Sequence, residues 1–469
     1  MEIDSNHRRP RPICFKLRSS STFILIVVGF SLSPDLFLYG LVIPVLPFAL
    51  NQLVGIPDQD IQPVISALLA AHALAAVLFS PIAGLIADAG KGRLPFLFGL
   101  VAMAASTALL CFGRTIPLLL LARVLQGLSA AIVWTVGLAL VVDTVGSDKL
   151  GSALGSIYGV ISVGSLASPT LGGIVYSRFG YYAVYELAGA ILLIDIILRL
   201  LVIERSVAET YQPSNPEEAV TEQTSLLPRS PDRSNPPPST NPIIRSFPLL
   251  KILLHPRLLS ALFVTFTQAS LLATFDATVP IHVKEIFGMD SLQSGLLFIA
   301  IQLPYLITGP IFGKWVDHSG ARPAIIFGSI ILIPTLIFLR LPHQSKEEWW
   351  IQVIGYTSLL TFSGIGLSAI GGPSLVDASQ TVCDLHKSFP DLFGHKGPYG
   401  QLYAVNNVVF SLGMTIGPLL SGGLADQINY GNSMAVMSLL CLASFLVAWF
   451  GMKDKDLMGT RKSNVVTTR

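Results

Sequence analysis

Charge is what this 469-residue chain has least of: 12% of its residues are Asp, Glu, Lys or Arg, against roughly 25% in soluble domains. Hydrophobic residues make up 52% and the mean hydropathy is +0.65. That balance excludes a water-soluble enzyme. Cysteine is scarce as well: Cys14, Cys111, Cys383 and Cys441 lie far apart with no CxxC pair, so neither a disulfide framework nor a zinc site is indicated. No GxxxxGK[ST] loop occurs to cradle a phosphate, and direct ATP drive is not expected. No metal or cofactor is expected. The formal net charge of +2 sits in short loops and tails, a pattern of membrane topology and not of nucleic-acid binding.

What the chain has instead is long apolar runs, and about 20 such residues cross a hydrocarbon layer of about 30 Å. Six candidate spans precede residue 204, at 22–48, 62–87, 94–113, 117–142, 152–176 and 182–203. Six more lie at 258–283, 292–316, 323–341, 349–376, 400–425 and 432–452. The expected fold is an all-α membrane protein of twelve transmembrane helices in two six-helix halves, 22–203 and 257–452. The first run is too long for a signal-peptide core and lacks an A-x-A site, so it counts as a span. Tails at 1–21 and 453–469 flank the halves. The stretch 204–256 between them, rich in Pro, Ser, Asn and Glu, reads as a disordered linker.

The basic residues set the expected orientation. With the termini in the cytoplasm, only Arg114, Arg178, Lys284, Arg340 and Lys346 fall outside, and Arg123 and Arg199 lie within spans. The rest of the 30 Lys and Arg are cytoplasmic, as the positive-inside rule requires.

The halves repeat each other. Pro81, Ile82, Gly84, Asp88, Arg93, Phe98 and Gly99 meet identical residues at Pro310, Ile311, Gly313, Asp317, Arg322, Phe327 and Gly328, a constant 229 positions on. Span 5, with Gly164, Pro169, Gly172 and Gly173, is echoed in span 11 by Gly413, Pro418, Gly422 and Gly423. Duplicated halves suit rocking, alternating-access transport.

The segment from Gly84 to Arg93 resembles the GxLxDrxGrr-type motif of the major facilitator superfamily, and Arg123-Val-Leu-Gln-Gly127 resembles its RxxQG motif. The Gly164–Gly173 stretch is similar to the superfamily's antiporter motif, with Ser168-Pro169 in place of Gly-Pro. Asp35-x3-Tyr39-Gly40-x2-Ile43-Pro44 resembles the drug:proton antiporters, and Asp276-Ala-Thr-Val-Pro280 with Leu375-Val-Asp377 resembles vesicular monoamine transporters. Where those carry an acid in span 11 this chain has Asn407, and His72 stands at their span 2 lysine. The resemblance implies a role for Arg123 in proton coupling.

A charge at mid-membrane costs on the order of 2.5 to 3.5 kcal/mol on insertion scales, so each one calls for a reason. Asp35, Asp276 and Asp377 are candidates for holding a proton or a cationic amine. Asp377, close to the end of its span, has helix capping as its alternative. Arg123, with Gln126 on the same face, either lines a wet cavity or holds a static ion pair. His72 has a suitable titration range, and Tyr39, Tyr403 and Phe410 can wall a cation site; core packing is the alternative for all four. Asp88, Arg93, Asp317 and Arg322, at span ends, are candidate gating residues. Gly159, Gly164, Pro169, Gly172, Gly173 and Pro418 are candidate hinge or close-packing residues.

These readings converge on a secondary active transporter, monomeric in its bilayer, in which protons drive efflux or vacuolar sequestration of an organic cationic or amphipathic small molecule. A facilitator or proton symporter for a neutral solute such as a sugar is the first alternative, though Val202-Ile-Glu-Arg-Ser206 stands where sugar porters carry a PESPR-like motif. A non-transporting receptor or scaffold is the second. Glu222-Gln-Thr-Ser-Leu226-Leu227 resembles an acidic dileucine signal for a vacuolar membrane, with the plasma membrane as the other location.

Overall fold

A computed structural model describes residues 15–88, 93–145, 150–202, 253–343, 349–388 and 399–452. The dileucine segment, the C-tail and most of the linker lie outside them. The described residues form twelve long helices: α1 (Ser21–Val42), α2 (Asp58–Asp88), α3 (Arg93–Phe112), α4 (Ile116–Val145), α5 (Leu150–Phe179), α6 (Tyr181–Leu201), α7 (Pro256–Phe287), α8 (Ser291–Ser319), α9 (Ala321–Phe338), α10 (Trp349–Ser388), α11 (Tyr399–Ile428) and α12 (Tyr430–Gly451). Ten are long and apolar enough to cross a membrane, all but α5 and α6. Backbone polarity explains the all-helical build, since a helix satisfies its own N–H and C=O groups where no water can.

Two spans differ from expectation. The run 22–48 is not one helix, because α1 stops at Val42 and Pro44 follows. Proline has no N–H to continue the ladder, and the chain resumes as a short helix, Leu46–Ala49, and a π turn, Leu50–Val54. The run 349–376 is only the first part of α10, whose 40 residues reach about 60 Å at 1.5 Å per residue. Asp377 therefore lies inside a continuing helix and caps nothing.

The repeat seen in the sequence recurs in the packing. Within the first half a Cβ on Gly40 of α1 would overlap Ser168 of α5, and one on Gly172 would overlap the Leu41 backbone. Within the second, Gly413 and Gly417 of α11 press on the Phe266 and Ser270 carbonyls of α7. Close approach of small residues is how helices associate in lipid. Gly180 joins α5 to α6 with φ +83°, and Asn429 joins α11 to α12 with φ 69°. Such tight turns need a left-handed residue.

The halves meet chiefly at the end of the bundle away from the termini. There Gly173 of α5 packs on Ser291 of α8, Gly295 of α8 packs on the Pro169 carbonyl, and the Thr170 hydroxyl donates to the Gly295 carbonyl at 3.1 Å. Gly422 of α11 packs on Ser66 of α2. Gln62 donates to the Ala277 carbonyl of α7 at 3.3 Å, and Lys284 pairs with Asp58 at 2.9 Å.

Candidate functional site

One face of α1 presents polar groups at successive helical turns, Ser31, Asp35 and Tyr39. All three are buried, Asp35 at 4% exposure. The Trp134 indole N–H of α4 donates to Asp35 Oδ2 at 3.0 Å, and Oδ1 has no hydrogen-bond partner among the described residues. The Tyr39 ring lies 5.4 Å from the His72 ring of α2. Its hydroxyl stands beside the Asp276 carboxylate of α7 without closing a well-formed hydrogen bond to it. That contact crosses from one half to the other.

Arg123 of α4 is fully buried and donates from Nη1 to Gln126 Oε1 at 2.9 Å. Among the described residues its Nε and Nη2 have no hydrogen-bond partner, and neither does His72 Nδ1. The Arg123 charge acts on Asp35, Tyr39 and His72. A buried polar atom left without a bond costs about 1–3 kcal/mol. Asp35 Oδ1, His72 Nδ1 and two Arg123 nitrogens gathered in one place form a constellation that stability alone does not select.

Two packing features place this cluster. Gly127, which follows Gln126, has no room for a side chain, because a Cβ there would overlap the His72 carbonyl and crowd Ala75. The glycine of the RxxQG segment thus sets how closely α4 approaches α2. Asp276 is carried by α7, whose most apolar window is 78% buried, and yet Asp276 itself keeps partial exposure. A carboxylate facing hydrocarbon would be costly, and the neighbour the structure gives Asp276, the Tyr39 hydroxyl, lies across the seam between the halves.

The structure therefore brings together Asp35, Tyr39, His72, Arg123, Gln126 and Asp276, and leaves other candidates elsewhere. Asp377, 1% exposed, is held by Arg257 of α7 at 2.7 Å, with Asp384 3.7 Å from the same guanidinium. Its bonding is that of an ion pair tying α10 to α7. Asn407 and Phe410 are partly buried on α11, one and four positions on from Asn406, which accepts from Thr265 of α7 at 3.3 Å. Arg322 donates to the Trp449 carbonyl at 3.0 Å and lies 5.3 Å over that ring, contacts within one half. The side chains of Asp88, Arg93, Asp317, Gly159 and Tyr403 are outside the described residues. In α5, Gly164 approaches Ser33 of α1, Gly172 packs on α1 and Gly173 on α8, with Pro169 touching both. Pro418 is buried on α11 beside Gly417.

Sequence reasoning missed Trp134, whose role needs a neighbour on another helix. It also missed Asp195, fully buried on α6, where it accepts from the Ser31 hydroxyl and feels the charge of Arg199. The signal was present, an acid inside an apolar run four residues before an arginine.

Comparison with known proteins agrees with this architecture. The chain is 40% identical over 437 residues to an MFS-type transporter of Schizosaccharomyces pombe, across 92% of this chain and 96% of that protein. It is 25% identical over 388 residues to the chromaffin granule amine transporter of Homo sapiens, across 82% of this chain and 64% of that protein. Among solved structures it shares the fold of the nucleoside transporter NupG, with a TM-score of 0.65, 11% identity and coverage of 92% of this chain and 100% of that one. The family model of the Major Facilitator Superfamily matches residues 25–388, and the chain belongs to that superfamily of membrane transporters.

Proposed function

We propose that this transporter exchanges protons for an organic cationic or amphipathic small molecule. The observation that carries the reading is the meeting of Tyr39 and Asp276 across the seam, beside Asp35 and the buried Arg123. A carboxylate open to the seam binds either a proton or a cation. Competition for that one group couples the two fluxes. Trp134 occupies one oxygen of Asp35 and leaves the other for exchange, while Arg123 offsets negative charge when both acids are ionised. Rocking of the halves would part Tyr39 from Asp276 and turn the site towards the opposite side.

In this reading the termini are cytoplasmic, Asp88, Arg93, Asp317 and Arg322 work at the gate on that side, and Asp377 keeps α10 on α7. The name of the amine-transporting relative supports the cationic substrate. A vacuolar or plasma membrane and a monomer complete the proposal.

The test is uptake of a panel of amines into acid-loaded proteoliposomes carrying the full chain. Asp35→Asn and Asp276→Asn should each abolish pH-driven flux while the protein stays monodisperse. Undiminished flux in both variants would refute the site. Flux indifferent to the pH gradient in the unmodified protein would favour the neutral-solute facilitator instead.

A further inference from the structure

At the sealed end a cavity of about 360 Å³ opens between α7, α11, the α11–α12 turn and the α9–α10 connection. Its lining includes Gln62, His282, Glu285, Arg340, Asp426 and Asn429. It is separate from the Asp276 cluster. His282 and Glu285 lie about 9 and 14 Å further along α7 at 1.5 Å per residue, and Gln62, bonded to the Ala277 carbonyl, stands between the two places.

Three observations bear on what it holds. First, the rim carries acids from both halves: Lys284 offsets part of the charge at Glu285, Asp58 and Asp426 act on it with like charge, and Asp60 acts on Asp426. Lys284 pairs with Asp58 and lies 5.5 Å over the Phe48 ring, outside the lining, and Arg340 is the cation within it. Second, His282 is 7% exposed and stacked on Tyr430 at 3.6 Å, and its Nε2 has no hydrogen-bond partner among the described residues. The Tyr430 hydroxyl is already bonded to Tyr356 at 2.8 Å and leaves that nitrogen unserved. Third, among the described residues no three acidic, histidine or cysteine side chains converge closely enough for a metal ion. Carboxylates set apart on separate helices suit separated positive charges better than one point charge.

We propose that this cavity binds an organic diammonium ion. One ammonium lies against Glu285 and Asp426 with His282 in its wall, and the other reaches across the seam towards Asp60. The ligand would cancel repulsion between acids of the two halves where they close together. The site is independent of what the central cluster transports.

The experiment measures the melting temperature of the purified full chain in lipid nanodiscs against 1,5-diaminopentane, with n-pentylamine and magnesium chloride at matched ionic strength. A saturable rise is expected with the diamine, with half-saturation about tenfold lower than for the monoamine, and no saturable rise with magnesium. The double variant Glu285→Gln, Asp426→Asn should weaken diamine binding about tenfold or more, and Arg340→Ala should tighten it about threefold. In an Asp276→Asn background, which disables the central carboxylate, a saturable diamine response should persist, which separates this site from the central one. Equal effects of magnesium and diamine, loss of binding in Asp276→Asn, or unchanged binding in the double variant would each overturn the proposal. Should the double variant not fold, Arg340→Ala decides alone, since unchanged or weaker binding there also overturns it.

Discussion

Substituting Arg257 by Met leaves Asp377 buried without its cation. The guanidinium now gives Asp377 three contacts, Nη2 to Oδ1 at 2.7 Å and Nε to Oδ1 and Oδ2 at 3.1 and 3.3 Å. Side-chain exposures are 12% for Arg257 and 2% for Asp377, so water screens the pair little. Removing one partner of a buried pair costs about 3–5 kcal/mol, whereas replacing both by apolar groups is often close to neutral. For a cooperative unit the size of one half, at about 2–4 °C per kcal/mol, the single variant should melt roughly 6–20 °C lower. Adding Asp377→Leu should restore most of that loss, and the double variant should still transport. The assay is tryptophan-fluorescence melting in nanodiscs, followed by flux in proteoliposomes. If the double variant melts as low as the single one, the two residues are not coupled and the ion-pair reasoning fails. If it is stable but inactive, Asp377 belongs to the transport site after all.

Two more substitutions probe the packing. Gly127→Val should drive α2 and α4 apart, at about 1–3 kcal/mol or more for an overpacked contact, while Gly84→Ala, with nothing within 4 Å of the added carbon, should melt like the unmodified protein; equal melting of both would refute the close crossing. Ser31→Ala should remove the hydroxyl donor from the buried Asp195, lower stability by about 1–3 kcal/mol, and leave flux per folded molecule unchanged, in contrast to Asp35→Asn. A loss of flux without a loss of stability would place Ser31 in the transport site.

Charges can be read out of an apolar sequence because their insertion cost is a property of the residue and needs no structure. Asp35, Arg123 and Asp276 stand out for that reason, and the structure gathers them. The same rule could not separate Asp377 from Asp276. Both are acids in apolar helices, and only the arrival of Arg257 from the start of α7 shows that one of them is ion-paired in this conformation. Trp134 carried no charge to betray it. Tyr39 was one aromatic among many until its hydroxyl was found facing the other half.

The sequence by itself determined the helical, membrane-spanning class, because too little charge remains to solvate a water-soluble surface and unpaired backbone is intolerable in lipid. It determined the two-fold repeat as well, since identical residues recur at one constant spacing. Which acids face the seam, which are locked in pairs, and which end of the bundle is sealed were decided by tertiary structure alone. Those properties depend on contacts between helices far apart in the chain, and helical periodicity says which residues share a face without saying what that face will meet.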